Sequence, residues 1–168
     1  MNPPTFNRHA WPDMARTPLT GLDLAFAEFC QQQQPSPATE HRWLAALTSH
    51  QWGRGHACLD MSDWPAQAAH VLGWPTEACQ ALPTHLPEAA RDLSWAQGDH
   101  SPLVWDGKRL YLRRAWQAEQ TIRHQLSARL TQAVTPPKDL PAQLDALFGP
   151  EGAVPDRQRQ ACAHAAVH

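Results

Sequence analysis

Apolar residues recur three and four positions apart along much of the chain, so helices dominate the expected structure. After a proline-rich lead, Leu22, Phe26 and Phe29 share a helical stripe with Cys30 beside it, and Thr20 followed by Asp23 supplies a capping-box-like start. A second helix is predicted over 38–50, burying Leu44 and Leu47 and ending near Gly53 or Gly55, which tolerate a left-handed C-cap. His56-Ala57-Cys58-Leu59-Asp60 predicts a short strand, and Ser62-Asp63 after it is a natural start for the next helical turn. Over 64–97, Pro65, Pro75, Pro83 and Pro87 can each open a helix but not run through its middle, so two or three short helices are expected.

The strongest local signal is Asp106-Gly107 between Leu103-Val104-Trp105 and Lys108-Arg109-Leu110-Tyr111-Leu112-Arg113, which predicts an antiparallel hairpin over 102–113. With Asp106-Gly107 as the two-residue turn, Leu103 faces Leu110 on a core side shared by Leu112. Val104 and Arg109 then share the other side with Tyr111 and Arg113, leaving it partly wet and cationic. A long helix follows over 115–133, with Ala115, Ala118, Ile122, Leu126, Leu130 and Ala133 on one stripe expected to cover Leu110. Thr135-Pro136-Pro137 stops it; a helix over 139–148 buries Leu140, Leu144, Leu147 and Phe148, and a last one runs from Asp156 to the chain end. The expected fold is α+β and predominantly helical: short helices plus a small antiparallel β element that contains the 102–113 hairpin. Along the chain this divides into a flexible lead at 1–20, a main domain at 21–152 and a terminal helix at 153–168.

Composition narrows the classes of function. With 42% hydrophobic and 18% charged residues over 168 positions, the chain can own a real core, while 16 prolines keep most helices short. A formal net charge of -2 gives no global basic field for nucleic acid or an anionic membrane, so any such contact is local. The N-terminus shows no secretory pattern and no run of about 18 apolar residues occurs, so a cytoplasmic protein without membrane contact is expected. Cys30, Cys58, Cys79 and Cys162 form no C-x-x-C pair, which favours reduced thiols over a disulfide framework or a ribbon-type zinc site.

Candidate chemistry is sparse. His50, His56 and Cys58 are usable zinc ligands near one turn, but their spacing matches no zinc pattern, and a locally bonded His50 with a buried Cys58 is favoured. A nucleophile built from Cys58 with His56 or His100 lacks any indicated oxyanion site or orienting partner, so no catalytic residue and no metal site is assigned. Lys108, Arg109, Arg113 and Arg114, with Trp105 and Tyr111 close enough to stack on bases, form a candidate interface or DNA contact. Asp106 and Glu119 can neutralise that cluster, which favours salt bridges or a protein interface over direct nucleic-acid contact. Eight tryptophans, at positions 11, 43, 52, 64, 74, 95, 105 and 116, exceed what one small core absorbs and point to a partner surface. The Gly107-Lys108 pair is followed by Arg109 rather than Ser or Thr, so there is no Walker A loop and no cofactor is expected in this chain.

Leu44-Ala45-Ala46-Leu47-Thr48-Ser49-His50 leading into Gly53-Arg54-Gly55-His56-Ala57-Cys58-Leu59 is one family-like segment. Pro102-Leu103-Val104, Asp106-Gly107 and Arg109 to Trp116 with Glu119 form another; Leu144-Asp145-Ala146-Leu147-Phe148 and Asp156-Arg157-Gln158-Arg159-Gln160-Ala161 follow in order. Together they resemble the N-terminal region of the exodeoxyribonuclease V alpha chain, the RecD family, from about Leu22 to the C-terminus. The resemblance implies a chain truncated before a Walker A loop and the motor domains of a 5′ to 3′ DNA helicase, for which ATP and Mg are the cofactors. It also implies RecC-like and RecB-like subunits as partners, DNA reached through the complete assembly, and Gln158 at the position of a glutamine that recognises adenine. The favoured expectation is an interaction domain of a DNA repair machine. The alternative is an independent nucleic-acid-binding module using the basic hairpin, and a metal- or thiol-dependent enzyme is a third.

Overall fold

The computed structural model describes residues 14, 17–132, 134–150, 152 and 154–167; the rest of the lead at 1–20, with Trp11, and Ala133 of the long stripe lie outside them. Its helices are α1 Gly21–Gln33, α2 Thr39–Gly53, α3 Ala68–Leu72, α4 Thr76–Cys79, α5 Leu86–Arg91, α6 Arg113–Leu130, α7 Leu140–Phe148 and α8 Arg157–Ala165. Strands β1 Cys58–Asp60, β2 Leu103–Trp105 and β3 Arg109–Leu112 form an antiparallel sheet in the order β1-β3-β2. The fold is α+β and mostly helical, as the pattern predicts. Two compact units are present, Met1–Ala118 and Glu119–His168.

In the first unit α2 is the centre. Leu44, Ala45, Ala46 and Leu47 are fully buried, and the polar His41, Thr48, Ser49, His50 and Gln51 are buried with them. A helix apolar or satisfied all round belongs inside, and α2 is enclosed by α1, α5, β1 and β3. Its polar groups have partners: Thr48 Oγ1 donates to the Leu44 carbonyl at 2.7 Å, and Gln51 Nε2 donates to the Val71 carbonyl at 2.7 Å. Arg54, just past α2, donates to Gln51 Oε1 and to the Val71 and Leu72 carbonyls, tying this end to α3. Gly73 permits the arrangement. Its φ of +62° makes the left-handed cap of α3, and a Cβ there would lie 2.9 Å from the Arg54 guanidinium carbon.

The capping box of α1 is present: Asp23 N donates to Thr20 Oγ1 at 3.4 Å, and Thr20 N donates to Asp23 Oδ2 at 2.8 Å. The buried face differs from the predicted stripe. Asp23, Leu24, Ala27 and Cys30 point inward, Phe26 is half-buried, and Leu22 and Phe29 stay 74% and 50% exposed. The reason is electrostatic as well as apolar, because the Asp23 carboxylate finds its partners on α2 and turns the helix toward them.

The hairpin register is also corrected. Leu103 pairs with Leu112, Val104 with Tyr111 and Trp105 with Leu110, two residues away from the predicted pairing. The turn is Gly107-Lys108: Asp106 N donates to the Arg109 carbonyl at 3.1 Å, and the Asp106 carboxylate accepts from the Lys108 and Arg109 N–H groups. Asp106 thus stays on the strand ladder while Gly107 takes φ +100°. A two-residue shift preserves side-chain parity, so Leu103, Leu110 and Leu112 still share the core face. That face is covered by α2 rather than by α6, whose described core contribution is Ala115. Further along α6, the predicted buried stripe is solvent-facing, with Ile122, Leu126 and Leu130 at 61%, 55% and 56% exposure.

In the second unit α7 packs on α8, and Arg159 holds both by pairing with Asp145 at 2.8 Å and donating to the Gly149 carbonyl at 3.0 Å. Asp156 caps α8 by accepting from the Gln158 and Arg159 N–H groups. Leu144 is buried and Leu140 and Phe148 half-buried, whereas Leu147, expected inside, is exposed.

Candidate interaction surface

The six hairpin residues proposed from the sequence do not converge on one patch. Lys108 is exposed in the turn. Arg109 Nε donates to Asp60 Oδ2 at 3.1 Å across the β1–β3 pair, where the two residues are register partners. Hydrogen bonds from Ser62 hold the Asp60 carboxyl below its usual range against the opposing effect of burial, and Arg109 adds to the depression. Tyr111 is buried, its ring 5.0 Å from Trp116 in an edge-on contact, and its hydroxyl donates to Asp106 Oδ2 at 3.5 Å. Trp105 is half-buried opposite Leu110 on the core side.

Arg113 departs furthest from its predicted place on an open cationic face. Its guanidinium turns into the loop before β2, donating to the Gly98 carbonyl at 2.6 Å and Ser101 Oγ at 2.7 Å, and also to the Ser101 and Leu103 carbonyls. Planar, multiply donating guanidinium suits such a cluster of acceptors. Replacing Arg113 with Ala is therefore expected to cost about 1.5–3 kcal/mol in chemical denaturation, as hydrogen bonds from a charged donor do. Arg109→Ala should leave the melting temperature nearly unchanged, because its ion pair is solvent-exposed. Equal effects of the two changes would contradict this division of roles.

Arg114 lies over the Trp52 indole, 4.7 Å from the ring centroid, and both are exposed. The pair borders a groove of about 370 Å³ that sequence reasoning missed. Leu22 and Phe26 of α1, Trp52 at the end of α2, and Leu112 and Arg114 where β3 passes directly into α6 line it. The missed signal was Leu22 itself, an apolar residue beside the inward Asp23 in the first turn of α1.

Neither does His50 join His56 and Cys58. Trp74 Nε1 donates to His50 Nε2 at 2.8 Å, which places the ring proton on Nδ1, 3.5 Å from Asp23 Oδ2. Burial alone would raise the Asp23 carboxyl, but hydrogen bonds from His50, Thr20 and Ser49 outweigh it and hold the group below its usual value. This buried chain joins α1, α2 and the segment after α3. His56 is exposed and Cys58 half-buried. Burial pushes the Cys30 thiol up to about 12, which removes its nucleophilic form near neutral pH. Among the described residues, no group of three or more His, Cys, Asp or Glu is placed to hold a metal ion. Gln158 is exposed at the start of α8 in the second unit, where only its backbone N–H bonds Asp156 among the hydrogen bonds described.

A central buried helix, a three-stranded antiparallel sheet and short helices between them define the first unit as a small α+β domain. The chain belongs to the RecD N-terminal domain family: the family model for the RecBCD enzyme subunit RecD, N-terminal domain, matches residues 15–111. That match ends within β3, so Arg113, Arg114 and Gln158 lie beyond it. None of the curated proteins matches the chain. Among the described residues, no helix is long and apolar enough to cross a membrane.

Proposed function

We propose that this chain is a subunit-docking domain that seats a RecD-type 5′ to 3′ helicase subunit against RecC-like and RecB-like partners in a cytoplasmic exodeoxyribonuclease V assembly. Its place in double-strand break repair and recombination follows from that assembly, which contacts DNA as a whole and uses ATP and Mg elsewhere. The family membership carries the reading. Exposed Leu22, Phe29 and Trp52 on one unit support it, since large apolar and aromatic side chains left in water are typical of partner surfaces.

The second reading, a nucleic-acid module using the hairpin, draws on exposed Lys108 and Arg109. It is weakened by Asp60 and Asp106, which put negative charge beside both cations. Titration of the purified chain against a purified RecC-like subunit, and separately against duplex and single-stranded DNA, distinguishes the two. Partner binding that persists in high salt, with weak DNA binding, is expected. Tight, steeply salt-dependent DNA binding without partner binding would replace the docking reading with the module.

A further inference from the structure

The groove bordered by Trp52 and Arg114 has a composition that selects its occupant. Its apolar wall is made by Leu22, Phe26, Trp52 and Leu112, and its two charged lining residues, Arg113 and Arg114, are both cationic. Among the described residues no carboxylate lines it, and Asp23, which follows Leu22, faces inward with its charge taken up by Thr20, His50 and Ser49. Arg113 donates to carbonyls, which orient the guanidinium without neutralising it. Arg114 pairs with no carboxylate among the described residues and is held by the face of Trp52. A pre-positioned arginine beside an apolar wall loses little freedom on binding a carboxylate.

We infer that this groove seats a short segment of a partner protein in which a large apolar side chain stands next to an aspartate or glutamate. The apolar side chain fills the space between Leu22, Phe26 and Trp52, and the carboxylate pairs with Arg114 at the rim. This rests on the docking reading above and adds to it the surface and the chemistry of the partner segment. The volume of about 370 Å³ suits one or two side chains rather than a whole helix. Charge complementarity, rather than apolar exposure alone, favours an acidic segment over a second copy of this chain, whose own groove would present the same arginines.

The test uses the full chain and a purified RecC-like subunit. Leu22→Asp and Arg114→Glu are the groove variants, with Lys108→Glu as a control in the hairpin turn. Leu22 is 74% exposed in the first turn of α1, where a carboxylate is tolerated by the helix dipole, so the first variant keeps its fold. Each groove variant is expected to weaken partner binding about tenfold or more, because Leu22→Asp sets a carboxylate in the apolar wall and Arg114→Glu sets a like charge against the partner's carboxylate, with the melting temperature and the control unchanged. A photo-crosslinker at position 22 should capture a partner segment carrying an apolar residue beside Asp or Glu, and a charge swap there should restore binding to Arg114→Glu. Wild-type binding with both groove variants unaffected overturns the groove and leaves the docking reading standing. Absence of any binding by the wild-type chain overturns both. A captured segment without a carboxylate, or crosslinking of the chain to itself in a dimer that Leu22→Asp dissolves, overturns the assigned occupant.

Discussion

His50→Ala is expected to destabilise the first unit by about 3–5 kcal/mol, because one change orphans a buried donor, weakens the hold on a buried carboxylate and empties a packed ring volume. The change strips Trp74 Nε1 of its acceptor and takes a donor from the buried Asp23 carboxylate at once. An orphaned buried donor alone costs about 1–3 kcal/mol, and the carboxylate and the emptied ring volume account for the rest. Urea denaturation of wild type and variant at neutral pH measures the difference, and a loss as small as that of a surface change would remove the network from the account. The pH dependence carries a sign of its own. Asp23 is depressed from 3.8, so its contribution is complete above that value and is lost as pH falls through the lower folded one. In the variant, burial acts with less opposition, and the carboxyl is protonated at higher pH. The stability gap between the two proteins should therefore narrow on acidification below about pH 4. A gap that widens there would mean that Asp23 is not held by His50.

Leu110→Ala is expected to cost about 2–5 kcal/mol, the transfer and cavity cost of truncating a buried leucine. Leu110 has no exposed surface; Leu59 of β1 and Trp105 of β2 flank it as register partners, and α2 lies across the sheet. A cavity there cannot collapse easily, because the ladder on both sides holds β3 in place. Thermal and chemical denaturation should show the loss, while Arg109→Ala, one residue away and facing Asp60, should scarcely move the transition. If Arg109→Ala unfolds the domain and Leu110→Ala does not, the faces of β3 are exchanged.

Both residues show how far local pattern reaches. Alternation in Leu103, Leu110 and Leu112 identifies the core face of the hairpin, and it survives a register error of two residues because side-chain direction repeats every two. The turn position was not legible in that alternation. Asp106-Gly107 reads as the central pair, but the Asp106 carboxylate bonds the Lys108 and Arg109 N–H groups from the strand end, and that moves the turn on by one residue. The basic cluster fared similarly: charge in the text does not say whether Arg113 meets solvent or the Gly98, Ser101 and Leu103 carbonyls.

By itself the amino-acid sequence determined the capped starts of α1 and α8, the hairpin, the mostly helical class and the ordered segments that resemble the RecD family. These depend on neighbours within a few residues: Thr20 with Asp23, Asp156 with the N–H groups after it, and the Leu44 and Leu47 stripe. Tertiary structure alone decided which face of α1 is buried, that α2 rather than α6 covers the sheet, and that Leu22, Trp52 and Arg114 share a groove. Those outcomes rest on partners far apart in the chain, such as Trp74 and His50 at a separation of 24 residues. Periodicity reports that a side chain is apolar and on which side of its own element it lies; only packing says which element faces it, and a buried charge such as Asp23 follows its partner there.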